Sequence, residues 1–185
     1  MRVLIVSDTH GAVDARVLAL ARDCALILHA GDVGSAGVVD ALAGGTRDVL
    51  AVRGNNDVAA KWPQVQHDRL AELPLERTVE LPGGRVVVVH GDAFPAHARH
   101  TALRRKYAHV RAVVYGHSHH LTVDDAQTPW VLNPGAAGKA RTYGGPSCLV
   151  LDTADAAWRV SALRFDPPTQ VFSDGPTRGS HGNRQ

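Results

Sequence analysis

The sequence of 185 residues predicts an α/β fold built on two sheets. Short apolar runs of strand length recur along the chain, a helical pattern separates the first of them, and the later runs follow one another without helices. Alternating strands and helices are typical of parallel strands joined by right-handed crossovers. Strands without intervening helices indicate antiparallel or mixed pairing. We therefore expect a parallel first sheet and an antiparallel or mixed second sheet.

The first third of the chain predicts three strands and two helices. The strands occupy the apolar runs 2–6, 25–29 and 48–52. Between the first two, apolar residues recur at the helical spacing i, i+4, i+7 and i+8, at Val13, Val17, Leu20 and Ala21. A second helix is expected from about Ala36 to Leu42, where Ser35 can cap its start and Gly44-Gly45 can end it.

The remaining elements are mostly strands. The stretch from residue 58 to Pro74 is predicted to be an irregular rim. Pro82-Gly83-Gly84 separates two β-type runs and indicates a hairpin. A third helix is expected from Pro95 to about His109, with Leu103 and Tyr107 on its apolar face. Further strands are expected at 111–115 and, in the second sheet, at 121–125, 130–132, 147–152 and 158–165.

Length and composition predict one globular domain, residues 1–165, followed by a flexible tail, residues 166–185, that is rich in Pro, Gly and polar residues. The net charge of +2 is too small to indicate a nucleic-acid partner. No apolar run approaches the roughly 20 residues that a membrane span needs, so the expected location is cytoplasmic. Cys24 and Cys148 show no metal-binding spacing.

Five predicted strands end in a small polar cluster next to Gly. The clusters are Ser7-Asp8-Thr9-His10-Gly11, Ala30-Gly31-Asp32, Gly54-Asn55-Asn56-Asp57, His90-Gly91-Asp92 and Gly116-His117-Ser118-His119. Because α/β proteins place their ligands at the carboxyl ends of strands, we expect these clusters to converge. Their oxygen and imidazole donors suit Mn, Fe, Ni or Zn. The candidate ligands are Asp8, His10, Asp32, Asn55, His90, His117 and His119.

Each cluster taken alone has a simpler interpretation. Asp8 could be the N-cap of the following helix, and Gly54-Asn55-Asn56-Asp57 could be an ordinary turn. His29, inside the second strand, fits packing better than ligation. Two imidazoles at the end of an apolar strand, His117 and His119, are harder to explain as core residues. The metal hypothesis therefore depends on all five clusters together.

In this order the clusters resemble the calcineurin-like metallophosphoesterases, and especially their small uncapped phosphodiesterase branch. The similarity spans about residues 1–165 and includes Asn133-Pro134-Gly135, which resembles a further loop of that branch. It implies a four-layer α/β/β/α sandwich of two mixed sheets flanked by helices. It also implies two divalent ions. Asp8, His10 and His119 would hold the first ion, Asn55, His90 and His117 would hold the second, and Asp32 would bridge them.

The resemblance implies a phosphoesterase, with Asp32, Asn55 and His90 also assigned to catalysis. A hydroxide bridging the two ions, with Mn favoured, would attack phosphorus in line. The expected substrate is a small-molecule or nucleotide phosphate ester, and Asn56, Arg53 and Arg141 are candidate substrate contacts. No nucleic-acid groove and no membrane partner are expected. Strand pairing between subunits could produce a homo-oligomer.

Two positions depart from the family pattern. Many members have a His, thought to protonate the leaving group, where this chain has Asn56. Because an amide cannot act as a general acid, we expect phosphodiesters with good leaving groups to be preferred over alkyl monoesters. Asp92 replaces another common His, and either orients a ligand His or lies in a solvated turn.

Two rival functions remain open from sequence. The fold could serve as a protein-binding scaffold with little or no catalysis, as in the retromer subunit that resembles this branch. Retention of all seven donors argues against that. A nuclease is the other rival, but no basic stretch with interleaved aromatic residues supports a binding groove.

Overall fold

The computed structural model describes residues 1–45 and 47–166. Two five-stranded sheets pack face to face, and helices cover their outer faces, which confirms the predicted four-layer sandwich. Except for Asp166, the predicted tail from 166 to 185 lies outside the described residues. Its flexibility and the domain boundary stay predictions.

The strands in chain order are β1 (Arg2–Val6), β2 (Leu26–His29), β3 (Asp48–Ala51), β4 (Glu76–Leu81), β5 (Gly84–Val89), β6 (Ala112–Val114), β7 (Leu121–Asp124), β8 (Trp130–Pro134), β9 (Ser147–Thr153) and β10 (Trp158–Arg164). The α-helices are α1 (Ala15–Ala21), α2 (Ala36–Ala43), α3 (His67–Ala71) and α4 (Arg99–Lys106). Short 3₁₀ turns precede α3 and α4. None of the described helices has the length and apolar character needed to cross a membrane.

The first sheet has the order β10-β9-β1-β2-β3. Strands β1, β2 and β3 are parallel, whereas β9 pairs antiparallel with β1 and β10 pairs antiparallel with β9. The sequence-based assignment of 147–152 and 158–165 to the second sheet was therefore wrong. Strand β9 is apolar on both faces, with Cys148 and Val150 on one and Leu149 and Leu151 on the other, so it needs a position inside a sheet covered on both sides.

The second sheet has the order β4-β5-β6-β8-β7. Its central strands β5, β6 and β8 are parallel, and its two edge strands are antiparallel to their neighbours. The predicted hairpin is confirmed as β4 and β5. The carboxyl ends of the parallel strands in both sheets thus carry the polar clusters identified in the sequence.

Strand β1 shows how the layers are packed. Val3 and Ile5 face the other sheet and join the core between the two sheets. Leu4 and Val6 point the opposite way, toward the core under α1 and α2. A third core lies beneath α4, where Leu103 and its neighbours cover the second sheet. Both faces of the buried strands are therefore shielded from water. Polar functional groups are expected at the strand ends instead.

The helix boundaries follow from local signals. The Asp14 carboxylate accepts the backbone N–H of Arg16 at 2.9 Å and caps α1. Helix α2 ends at Gly44, whose φ of 54° is the left-handed conformation typical of a helix C-terminus. The stretch 58–74 is less irregular than predicted, since it contains α3, with Leu70 packed in the core.

Candidate metal centre

The loops after β1, β2, β3, β5 and β6 meet at one edge of the sandwich and bring all seven predicted ligands together. Hydrogen bonds join the first two loops, from Asp8 N–H to Gly31 O at 3.0 Å and from His10 N–H to Asp32 O at 2.9 Å. Several of the ligands have a left-handed backbone that non-glycine residues rarely adopt, with φ between 47° and 64°: Asp8, His10, Asp32, His117 and His119. Such conformations concentrate at functional sites.

The first group of donors is Asp8, His10 and His119. His119 Nε2 lies 3.2 Å from Asp8 Oδ1 and 3.2 Å from His10 Nε2. His119 Nδ1 donates toward the carbonyls of Ala140 and Arg141 at 3.3 and 3.2 Å. Because Nδ1 carries the proton, Nε2 presents its lone pair to Asp8 and His10.

The second group is Asn55, His90 and His117. Asn55 Oδ1 lies 3.1 Å from His90 Nε2 and 3.0 Å from His117 Nδ1. His90 Nδ1 donates to the Ala30 carbonyl at 2.8 Å, which leaves the lone pair on Nε2 of the neutral ring. This group thus also directs acceptor atoms at one point.

Asp32 lies between the two groups. Its Oδ2 is 3.8 Å from His10 Nε2 and 3.4 Å from His90 Nε2. Burial by itself would raise the pKa of Asp32, but the contact with His90 and two hydrogen bonds from Asn56 outweigh burial and lower it. Asp32 is therefore an anion in the folded protein at neutral pH.

The ligand atoms also form two overlapping groups in which all atoms lie within 4.8 Å of one another, Asp8 with His10 and His119, and Asp8 with Asp32 and His90. Asp8 belongs to both groups, whereas the sequence assigned it to the first ion alone. Both carboxylates thus lie close to donors from both halves of the site.

The electrostatics of the site fit divalent cations. Asp8 and Asp32 are 0% and 1% exposed, and within the described residues the titratable side chains paired with them are imidazoles rather than Lys or Arg. Buried carboxylates are costly without a cation. Burial lowers the pKa of both His10 and His117, which keeps their rings neutral and able to ligate. For His90 burial acts in the same direction, but the Asp32 contact prevails and raises its pKa.

Asp57 organises the second and third loops, a role that the sequence analysis missed. Its Oδ2 accepts the N–H groups of Val33 and Gly54 at 3.1 and 2.8 Å. Its Oδ1 accepts Gly34 N–H at 2.9 Å and Trp62 Nε1–H at 3.0 Å. An acidic residue in a Gly-rich turn is the signal that could have revealed this role.

Asn133 has a similar role for the Gly-His-Ser-His loop. Its Nδ2 donates to Gly116 O at 2.9 Å and to Ser118 Oγ at 3.0 Å, while its Oδ1 accepts Gly135 N–H at 2.8 Å. The sequence marked Asn133-Pro134-Gly135 only by resemblance. Its contacts show that it fixes the loop that carries His117 and His119.

The three candidate substrate contacts have different positions. Asn56 binds Asp32, and Lys61 Nζ in turn contacts Asn56 Oδ1. Arg141 Nη2 reaches His10 Nε2 and His119 Nε2 at 3.4 and 3.3 Å, so its guanidinium lies at the first donor group. Arg53 instead donates from Nη2 to Leu70 O at 2.7 Å and lies beside the site rather than against its ligands.

Asp92 and His29 occupy different surroundings. Asp92 is exposed and near enough to His117 to favour its charged form. His29 is 0% exposed and hydrogen-bonds Thr9 beneath the loops, which agrees with the interpretation of packing rather than ligation.

Comparison with known proteins places this chain in a family. Residues 1–156 match the model of the calcineurin-like phosphoesterase superfamily domain. A probable metallophosphoesterase of Methanothermobacter thermautotrophicus is 29% identical over 160 residues, which cover 82% of this chain and 85% of that protein.

Two kinds of solved structure are similar. An archaeal phosphodiesterase has 25% identity and a TM-score of 0.65, over 88% of this chain and 100% of its own. Vps29 of Entamoeba histolytica, solved in complex with Zn²⁺, has 19% identity and a TM-score of 0.69, over 90% of this chain and 99% of its own. At 19% identity, the similarity to Vps29 shows a shared fold only. With the match over residues 1–156, the chain belongs to the calcineurin-like phosphoesterase superfamily.

Proposed function

We propose that this protein is a dinuclear metal-dependent phosphodiesterase. One observation carries the proposal: a single carboxylate oxygen, Asp32 Oδ2, faces His10 of the first donor group at 3.8 Å and His90 of the second at 3.4 Å. Two-metal phosphatases and nucleases share such a bridging carboxylate between ions about 3.5–4 Å apart.

The donor set divides between two ions. Asp8, His10 and His119 would hold the first and Asn55, His90 and His117 the second, with Asp32 shared between them. Mixed oxygen and imidazole donors favour Mn, with Fe, Ni and Zn as alternatives. When bound, the ions would supply positive charge for the phosphoryl group and lower the pKa of a water, the nucleophile proposed for in-line attack.

The protein's own groups orient the ligands and the phosphate. Backbone carbonyls hold the outer nitrogens of His90 and His119, which fixes the nitrogen that each ring presents to the site. The guanidinium of Arg141, which already lies at the first donor group, would bind a phosphoryl oxygen. Attack forms the new P–O bond as the bond to the leaving group breaks.

The leaving group determines the substrate preference. Asn56 has no proton of suitable pKa to give, and its amide is engaged by Asp32 and Lys61. A leaving group that departs as a stable anion, such as a phenolate, needs no proton from the protein. Aryl and nucleotide diesters should therefore be cleaved faster than alkyl monoesters.

The test begins with metal-free protein reloaded with Mn. We expect about two ions per chain and Mn-dependent hydrolysis of bis(p-nitrophenyl) phosphate that exceeds hydrolysis of glycerol phosphate. Asp32→Asn should lower both metal content and turnover, whereas Asp23→Asn, which changes an exposed carboxylate, should change neither. Faster hydrolysis of the monoester would contradict the proposed specificity.

A protein-binding scaffold is the second candidate, because several of the similar folds are Vps29 proteins. The same experiment separates the two functions. A scaffold of this kind would show no turnover stimulated by Mn, whatever its metal content.

A further inference from the structure

A cavity of about 260 Å³ adjoins the second donor group on the side of the second sheet. It lies between the chain that follows β5 and the C-terminal end of α4. The lining that matters here comprises Arg53, Leu75, His90, Asp92, Phe94 and Tyr107. His90 belongs both to this lining and to the second donor group, so the cavity lies beside the candidate metal centre.

The walls of the cavity are aromatic and aliphatic. Phe94 and Tyr107 belong to the core beneath α4, and Leu75 stands at the edge with 75% of its surface exposed. When a large apolar side chain that is this exposed covers a bound apolar group, its surface is removed from water, which favours binding. The walls thus favour a flat, apolar ligand surface.

Glu76 and Lys106 in the cavity wall neutralise each other. Glu76 Oε2 accepts Lys106 Nζ at 3.0 Å and the Tyr107 hydroxyl at 2.8 Å. Lys106 Nζ also lies 5.8 Å from the centre of the Phe94 ring. An additional ionic group of the ligand therefore has no free counter-ion in this part of the wall.

Arg53 and Asp92 bring polar groups to the lining. Arg53 Nε is buried and has no hydrogen-bond partner among the described residues, although Nη2 of the same side chain is satisfied by Leu70 O. Asp92 is exposed at the mouth of the cavity. A donor and an acceptor around an apolar slot match the ring nitrogens, carbonyls and amino groups of a nucleobase.

We propose that this cavity binds the nucleobase of a nucleotide phosphodiester while the phosphate lies at the metal centre. This proposal rests on the proposed function, which supplies the phosphate position. The volume of about 260 Å³ is just below the roughly 300 Å³ at which pockets for drug-sized ligands begin, which suits a small flat group such as a single base. Stacking of a base on aromatic side chains typically strengthens binding by about tenfold or more.

The test compares ligands that differ only in the base. In the Mn-loaded protein, adenosine 5′-monophosphate should bind about tenfold more tightly than ribose 5-phosphate in calorimetric titrations. Leu75→Ala and Phe94→Ala should remove most of that difference, with the Mn content unchanged. Val65→Ala is the matched control, because Val65 is 93% exposed and does not line the cavity.

The binding and turnover results separate the two proposals. Equal binding of the two ligands by the wild type would overturn the nucleobase site, even in a protein that hydrolyses bis(p-nitrophenyl) phosphate. A preference for the adenosine ligand that is lost in Leu75→Ala would support the nucleobase site, even if the protein shows no turnover. Absence of turnover would contradict only the proposed catalysis. Loss of the preference in Val65→Ala as well would contradict the placement of the site.

Discussion

Asn56 holds the Asp32 carboxylate by two hydrogen bonds, from its backbone N–H to Oδ1 at 2.8 Å and from its side-chain amide to Oδ2 at 2.6 Å. Oδ2 is also the oxygen that faces His10 and His90. Asn56 thus orients the carboxylate proposed to join the two metal sites. Asn56, which stands where many family members have a His, would thus be a positioning residue for the proposed metal centre.

Asn56→Ala should weaken Mn binding by about tenfold, because it removes one hydrogen bond to a buried charged acceptor. The backbone N–H still donates, so the loop should keep its course. Mn affinity measured by calorimetry on metal-free protein checks this. Lys61→Ala, which removes only the exposed contact to Asn56 Oδ1, should leave Mn affinity within about twofold of the wild type. An unchanged affinity in Asn56→Ala would show that Asp32 is oriented by other contacts.

Asp57→Asn should reduce stability without directly touching a metal ligand. The carboxylate accepts four N–H groups from two loops, and an amide in its place would direct its own N–H₂ at some of these donors. We expect a loss of about 3 kcal/mol in the free energy of unfolding. Urea unfolding of metal-free protein measures it, with exposed Asp23→Asn as the control. A loss below about 1 kcal/mol would mean that the loops do not depend on this carboxylate.

The sequence predicted the elements near the site better than their partners in the sheets. Period and length identify a strand, but they do not say which neighbour it pairs with, so β9 and β10 were assigned to the wrong sheet. The polar clusters were easier to place, because the carboxyl ends of parallel strands share an edge whatever the strand order.

Within the site, residue type predicted proximity but not orientation. Arg53 and Arg141 were both predicted as substrate contacts because they lie near the motif loops. Of the two, only Arg141 points its guanidinium at the candidate metal ligands. The contacts of Asp57 and Asn133 join loops that are distant in sequence. Such tertiary hydrogen bonds leave no periodic pattern, so only the folded chain reveals them.

Arg141→Ala should weaken substrate binding rather than metal binding. The guanidinium lies beside His10 and His119 at the surface of the site, where a phosphoryl oxygen would bind under the proposed function. Loss of a charge-assisted hydrogen bond predicts a KM for bis(p-nitrophenyl) phosphate about tenfold higher, with kcat changed less. Arg141→Lys should restore part of the affinity, and exposed Arg159→Ala should have no effect. A loss of bound Mn with unchanged KM would assign Arg141 to the metal site instead.

The surroundings of His29 predict that the free energy of unfolding of the metal-free protein falls at acidic pH. Gly31 N–H donates to Nδ1 of His29 at 3.2 Å, so the ring proton lies on Nε2 and is donated to Thr9 Oγ1 at 2.9 Å. Thr9 then donates to Val33 O at 2.9 Å, which links the ring to the loop after β2. Protonation of Nδ1 would break this chain and place a charge in the core.

Burial lowers the pKa of His29 from its ordinary value of 6.5 to about 4, against the attraction of Asp57, Asp8 and Asp32. The unfolded chain therefore takes up a proton at higher pH than the folded chain, and stability falls as pH decreases from about 6.5 to about 4. The shift corresponds to about 3 kcal/mol. Urea unfolding in EDTA at pH 7 and pH 4.5 should show a smaller decrease for His29→Gln than for the wild type. His109→Gln, which changes an exposed ring, should follow the wild type. If all three proteins lost stability in parallel, protonation of His29 would not be the cause, and the nearby carboxylates would have to account for the acid sensitivity.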